Sequence, residues 1–174
     1  MIGEKMQTAL NEQIREELGS AYLYLSMAAY FHSQGLDGMA QWMRVQTQEE
    51  LVHAMKLFDH VKDRGGRVEL LALSEPKAEW RSALEAFRAA YRHEQFITSR
   101  IDELAKLAEE EKDPAAATML EWFVKEQEEE EESASGNVQK LEAAGESREN
   151  LRDVDGELGR RTFTTPAKQE GERT

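Results

Sequence analysis

The chain has 174 residues, three prolines, no cysteine, a third of its residues charged and a formal net charge of −13. That length fits one domain with a real core, and the acidic balance argues against nucleic acid and anionic membranes as partners while suiting cations. The absence of cysteine excludes disulfides, thiolate metal sites and thiol catalysis, and the composition favours long amphipathic helices, an all-α chain.

A first helix is predicted from about Glu4 to Ser33, ending before Gly35, and a second from about Asp37 to Arg64, ending at Gly65-Gly66. A third begins after Ser82, where Ser82 and Glu85 form a capping box, and ends near Glu110. Asp113 and Pro114 supply an N-cap and a first-turn proline for a fourth, which ends before Gly145. Ser147 to Leu158 reads as a short fifth helix. The organisation expected is a bundle over 1–145, a short C-terminal helix over 146–159 and a polar, mobile tail over 160–174. Met1 to Leu18 has no apolar signal core, and Leu18 to Phe31 is too short and polar to span a bilayer, so a soluble cytoplasmic protein is expected.

Connection lengths predict the topology. Each main helix is roughly 40 Å long at about 1.5 Å per residue. The first and third connections hold only a few residues and so join antiparallel neighbours. The segment from Gly65 to Arg81 reaches roughly 55 Å when extended, enough to run the length of the bundle and make helices two and three parallel. The expectation is a four-helix bundle with one long crossover.

Alternating steps of three and four give four inward stripes. They are Leu10, Ile14, Glu17, Ala21, Tyr24, Ala28 and Phe31; Met39, Met43, Gln46, Glu50, His53 and Leu57; Leu84, Phe87, Tyr91, Glu94, Thr98 and Ile101; and Leu120, Phe123, Gln127, Glu130, Ala134 and Leu141. Each stripe is mainly apolar except near its centre, and the centres of aligned helices share one height. Glu17, Glu50, His53, Glu94, Gln127 and Glu130 therefore converge. A single Glu on such a stripe usually snorkels or pairs with a base, and a lone Glu-x-x-His is weak. No Lys or Arg occupies the central positions of these stripes, however, and buried unpaired carboxylates cost several kcal/mol each, on the order expected for ions removed from water. Divalent cations relieve that cost and suit oxygen ligands with one nitrogen. Two metals sharing a carboxylate match the ligand count, with Glu50 the bridging candidate.

At these residues the chain resembles the non-haem ferritins of bacteria and archaea, from about Asn11 to Leu141. The most specific pieces are Glu16-Glu17-Leu18, Gln48 to Ala54, Tyr91 to Gln95 and Trp122 to Gln127. The resemblance implies a ferritin-like fold and a ferroxidase centre. It places one iron on Glu17, Glu50 and His53, with Glu50 bridging to a second iron on Glu94 and Glu130. It puts Gln127 on the oxygen-binding side, makes Tyr24 an electron donor, and assigns Glu49, Glu126, Glu129 and Glu130 to a third iron position on the cavity side. It also implies a homo-oligomeric shell of twenty-four subunits that takes up Fe(II) and O2 or peroxide. The acidic run from Glu126 to Glu132 reads otherwise as a solvated face, but like charges at helical spacing are mutually unfavourable, and a cation route explains their clustering.

Departures narrow the subfamily. Haem-containing bacterioferritins carry Met after the bridging Glu; here it is Leu51, so no haem is expected. Those proteins and the di-iron oxygenases carry a second Glu-x-x-His on helix four, where this chain has Gln127 to Glu130, implying a weaker, more exchangeable second site. His32 and His60 are expected to face solvent, His93 to lie beside the site or at the surface rather than to ligate, and Trp42, Trp80 and Trp122 to pack or meet other subunits. The expected function is iron storage with Fe(II) oxidation. A non-catalytic iron-buffering shell protein is the alternative, and an oxygenase acting on an organic substrate is a third reading.

Overall fold

The computed structural model describes residues 1–164. Five helices occur in it: α1 (Glu4–Ser33), α2 (Asp37–Asp63), α3 (Ala83–Glu110), α4 (Pro114–Ala144) and α5 (Arg148–Leu158). These bounds lie within a residue or so of those expected, because the punctuation is chemical. The Ser82 hydroxyl accepts from Glu85 N, and the Glu85 carboxylate returns the bond to Arg81 N rather than to Ser82 N. Asp113 accepts from Ala116 N at the start of α4 and also holds both Arg64 contacts at 2.7 Å, tying the end of α2 to that cap. Gly35, with φ +70°, takes the left-handed turn between α1 and α2.

Two apolar clusters fix how the helices run. One gathers Met6, Leu10 and Ile14 from the start of α1, Leu57 and Val61 from the end of α2, Ile101 and Leu104 from the end of α3, and Leu120 from the start of α4. The other gathers Phe31, Met39, Met43, Phe87 and Leu141 from the opposite ends. The end of α2 thus shares a level with the end of α3, so the two helices run parallel. The connecting segment must traverse the whole bundle. It does so along α1: the Asn11 amide donates to Arg67 O and accepts from Glu69 N, Ser26 donates to Lys77 O, and Trp80 packs on Tyr30 with ring centroids 5.3 Å apart. This is the expected bundle with one long crossover. No helix among the described residues is long and apolar enough to cross a membrane.

One stripe differs from the prediction. On α3 the buried face is Ala83, Ala86, Phe87, Ala90, Glu94, Ile97, Ile101, Leu104 and Ala108, while Leu84, Tyr91 and Thr98 are only partly buried. The face has rotated toward a row of alanines. Small side chains there admit close helix approach, so the longer residues sit at the edge of the contact.

The C-terminal helix is anchored by backbone proximity. Asp155 of α5 caps α2, accepting from Met39 N at 2.7 Å. Gly38 lies directly under α5, where an added Cβ would stand 1.8 Å from Asp155 O. Of the tail expected to be mobile, residues 165–174 lie outside the described residues. Within 160–164, Arg161 makes contacts with the body: its backbone N donates to Leu158 O and its carbonyl accepts from Gln41. Gly38→Ala is expected to push α5 from its seat at a cost of about 1–3 kcal/mol, as overpacking does. Hydrogen exchange should then quicken over 147–161 and stay unchanged in the centre of α1; protection at 147–161 equal to the parent's would contradict the packing described.

Candidate metal centre

Between the two apolar clusters the bundle has a polar waist. Glu17, Gln46, Glu50, His53, Glu94, Gln127 and Glu130 are all buried there, on four different helices. They share one level because each sits near the midpoint of its helix.

Glu17, Glu50 and His53 offer ligand atoms that all lie within 4.8 Å of one another. His53 Nδ1 stands 3.4 Å from Glu50 Oε2 and 3.9 Å from Glu17 Oε2, too far for strong hydrogen bonds. All three atoms are buried without a hydrogen-bond partner among the described residues. Buried polar atoms are ordinarily satisfied, so three orphans aimed at one point have the geometry of an all-protein face for a cation. Glu94 and Glu130 do not join this compact group. They are near enough that the Glu50 carboxyl feels the charge of both.

The opposite oxygens are held. Gln13 donates to Glu17 Oε1 at 2.9 Å. The Gln46 amide donates to Glu50 Oε1 at 3.3 Å and to Glu130 Oε2 at 2.6 Å. Tyr24 donates to Glu94 Oε1, and Gln127 donates to Glu94 Oε2 at 3.2 Å. Among the described residues these donors are neutral, so they orient the acids without cancelling their charge. Gln13 was not singled out in the sequence, although its spacing of four from Glu17 places it on the same helix face.

Electrostatics register the crowding. Burial, then the charge of Glu50, pushes the Glu17 carboxyl up to about 8, and His53 only partly offsets this. Burial and then Glu130 push Glu94 up to about 8 against the hydrogen bonds of Tyr24 and Gln127. Burial, then the charges of Glu94 and Glu130, raise Glu50 well above the ordinary carboxyl range. Burial and the Glu94 carboxylate likewise hold the Tyr24 phenol well above its usual value.

A pocket of about 220 Å³ leads outward from this waist, lined by Glu49, Glu126, Glu129 and Arg161 and reaching His53 and Glu130. Glu49 is largely buried, and desolvation raises it to about 7 despite Arg161. Arg161 was missed in the sequence. No stripe carries a base, but this residue from beyond α5 donates to Gln46 Oε1 at 2.8 Å and to Glu49 Oε2. Trp122 packs edge-on against the His53 ring, centroids 5.5 Å apart, and so belongs to the wall of the site. His93 is 2.7 Å from the Ser20 hydroxyl and edge-on to Tyr24, beside the centre as expected; burial lowers its imidazole to about 4. His32 is exposed, paired with Asp37, whereas His60 is half-buried near Arg64.

A family model described as the ferritin-like domain matches residues 7–144. The chain is 40% identical over 161 residues to a bacterial non-heme ferritin of Bacteroides fragilis, covering 92% of this chain and all of the relative. It is 35% identical over 163 residues to that of Staphylococcus aureus, covering 94% of this chain and 98% of the relative. A crystal structure of an open-pore ferritin from the archaeon Archaeoglobus fulgidus superposes with a TM-score of 0.92 at 55% identity, over 93% of this chain and all of that one. A closed form of the same ferritin, engineered by mutagenesis, gives a TM-score of 0.93 at 55% identity, over 94% of this chain and all of that one.

The raised carboxyls set a pH dependence. Glu17 and Glu94 have folded values near 8 against an ordinary value of 4.5, so the folded chain retains protons that the unfolded chain has released. Stability without metal is therefore fullest below the ordinary value and falls until the pH passes the folded value. The thermal stability of the chain in chelator is expected to fall from about pH 5 to about pH 9, and Glu17→Gln to flatten that slope, because the amide has no charge to bury. A variant whose slope matches the parent's would refute this.

Proposed function

The chain belongs to the ferritin family, and on that premise we propose that it oxidises Fe(II) with O2 at a dinuclear centre within each chain and stores the ferric product as a hydrated oxide inside a hollow shell. The observation that carries this reading is the set of unpartnered, buried atoms on Glu17, Glu50 and His53. They supply two oxygens and one nitrogen to a first Fe(II). Glu50 belongs to that trio and also feels the charge of Glu94 and Glu130, which suits it to bridge to a second. The Glu94 and Glu130 half has no second imidazole, so its iron is held less tightly and exchanges more readily.

Each residue then has a physical task. Hard anionic oxygens stabilise the higher charge of ferric iron, which favours loss of an electron from each of two Fe(II) ions. Those two electrons, with two protons, take one O2 to hydrogen peroxide. Gln127 fixes Glu94 and places its amide on the oxygen-binding side. Tyr24, its phenol kept protonated by burial beside Glu94, stands where it can add a further electron. Glu49, Glu126, Glu129 and Glu130 line the pocket that leads away from the pair, a third iron position on the route to the store. Leu51 offers no sulfur ligand for haem.

Storage requires assembly. Tyr22 and Leu25 on α1 and Leu70, Leu71 and Leu73 on the crossover remain exposed in the single chain, an apolar surface suited to contact between copies. We propose a cytoplasmic homo-oligomeric shell of twenty-four subunits. The open-pore arrangement of the Archaeoglobus fulgidus relative is one form it could take.

Aerobic Fe(II) oxidation separates a ferroxidase from an iron-buffering shell. The double variant Glu17→Ala/Glu50→Ala is expected to oxidise iron at least roughly tenfold more slowly than the parent, as loss of ligands does at metal sites. Equal initial rates would leave a shell without catalysis. Electron microscopy of the parent should show hollow particles; their absence would remove the storage claim.

A further inference from the structure

Arg161 is held more firmly than a residue beyond the last helix needs to be. Its backbone is fixed by Leu158 and Gln41, and its guanidinium lies 4.5 Å from the centre of the Trp42 ring. From there it forks, one nitrogen to Gln46 Oε1 and the other to Glu49 Oε2, leaving the side chain less than a quarter exposed.

The fork has two consequences. A guanidinium only donates, so the Gln46 oxygen must face Arg161 and the Gln46 NH2 must face inward, toward Glu130 and Glu50. Turning the amide over would set donor against donor on one side and oxygen against carboxylate on the other. A guanidinium also stays charged, so Glu49 cannot accept a metal at the same oxygen until Arg161 has moved.

We infer that Arg161 is a built-in counter-cation and positioning residue: it takes the place of the third metal at Glu49 and, through Gln46, aims two carboxylates of the dinuclear centre. The inference rests on the dinuclear reading proposed above and adds a regulator to it. The third position is kept weak while α5 is docked, and a cation gains it by displacing Arg161. Because α5 is seated by Gly38 and by the Asp155 cap on Met39, the strength of that docking sets the affinity of the site at Glu49.

Anaerobic calorimetric titration of the full-length assembled protein with Zn(II), which undergoes no redox change, tests this, with anomalous diffraction at the zinc edge locating the ions. The parent should bind tightly at Glu17, Glu50 and His53 and weakly at Glu49. Arg161→Gln is expected to tighten the Glu49 ion by about tenfold, because a competing charge has gone. Arg161→Lys keeps a cation there and should stay weak. Gly38→Ala leaves every ligand in place and should shift affinity in the same direction as Arg161→Gln. A merely structural role for Arg161 would lower affinity instead. Unchanged or weaker binding at Glu49 in Arg161→Gln, with the ions at Glu17, Glu50 and His53 intact, would overturn this inference alone. A parent that binds no zinc at Glu17, Glu50 and His53 would overturn the dinuclear reading and the inference with it.

Discussion

Four carboxylates, one from each of the long helices, share the dry interior of this bundle, and most of its organisation answers to their mutual repulsion and lost hydration. An ion taken out of water costs several kcal/mol even after relaxation, on the order that a single good ion pair must offset. No helix stripe brings them a Lys or Arg, and His53 offsets the charge only in part. Neutral donors from Gln13, Gln46, Tyr24 and Gln127 fix the geometry, and protons are retained on Glu17 and Glu94 to unusually high pH. The neutral donors leave one oxygen each of Glu17 and Glu50 and the Nδ1 nitrogen of His53 without a hydrogen-bond partner among the described residues. A multivalent cation at the proposed centre would use all three.

The rest of the fold can be understood as what makes such a site tolerable. Apolar clusters above and below the waist carry the packing, so the centre is free to be polar. The long crossover, laced to α1 through Asn11 and Ser26, lets α2 and α3 run parallel while all four midpoints stay level. Rigid helices, rather than loops, then set the ligand geometry, which suits a site whose acids would otherwise separate.

Toward the surface the balance changes. Glu49 is matched by Arg161, a cation of the protein itself, where the buried trio has none. The same guanidinium orients Gln46, which touches both halves of the centre. Interior and exit are thus linked by a single amide, and the position of α5 bears on both.

Much of this was legible in the order of residues. Helix ends follow from Ser82, Asp113, Pro114 and the glycines, which act on their immediate neighbours, and the acids of the waist follow from three-four spacing along helices of similar length. These are local or periodic properties, so one dimension suffices to read them. The inward face of α3 was displaced because alanines at 86 and 90 became the contact only when another helix closed on them. Arg161 and Gly38 were invisible for the same reason: their roles depend on a fold-back across more than a hundred residues, and nothing in the spacing of a chain states which distant segment will lie against which. Periodicity determined that acids meet inside four helices; only tertiary contact decided that Arg161 would reach Glu49 beside them, because charge pairing acts through space and not along the backbone.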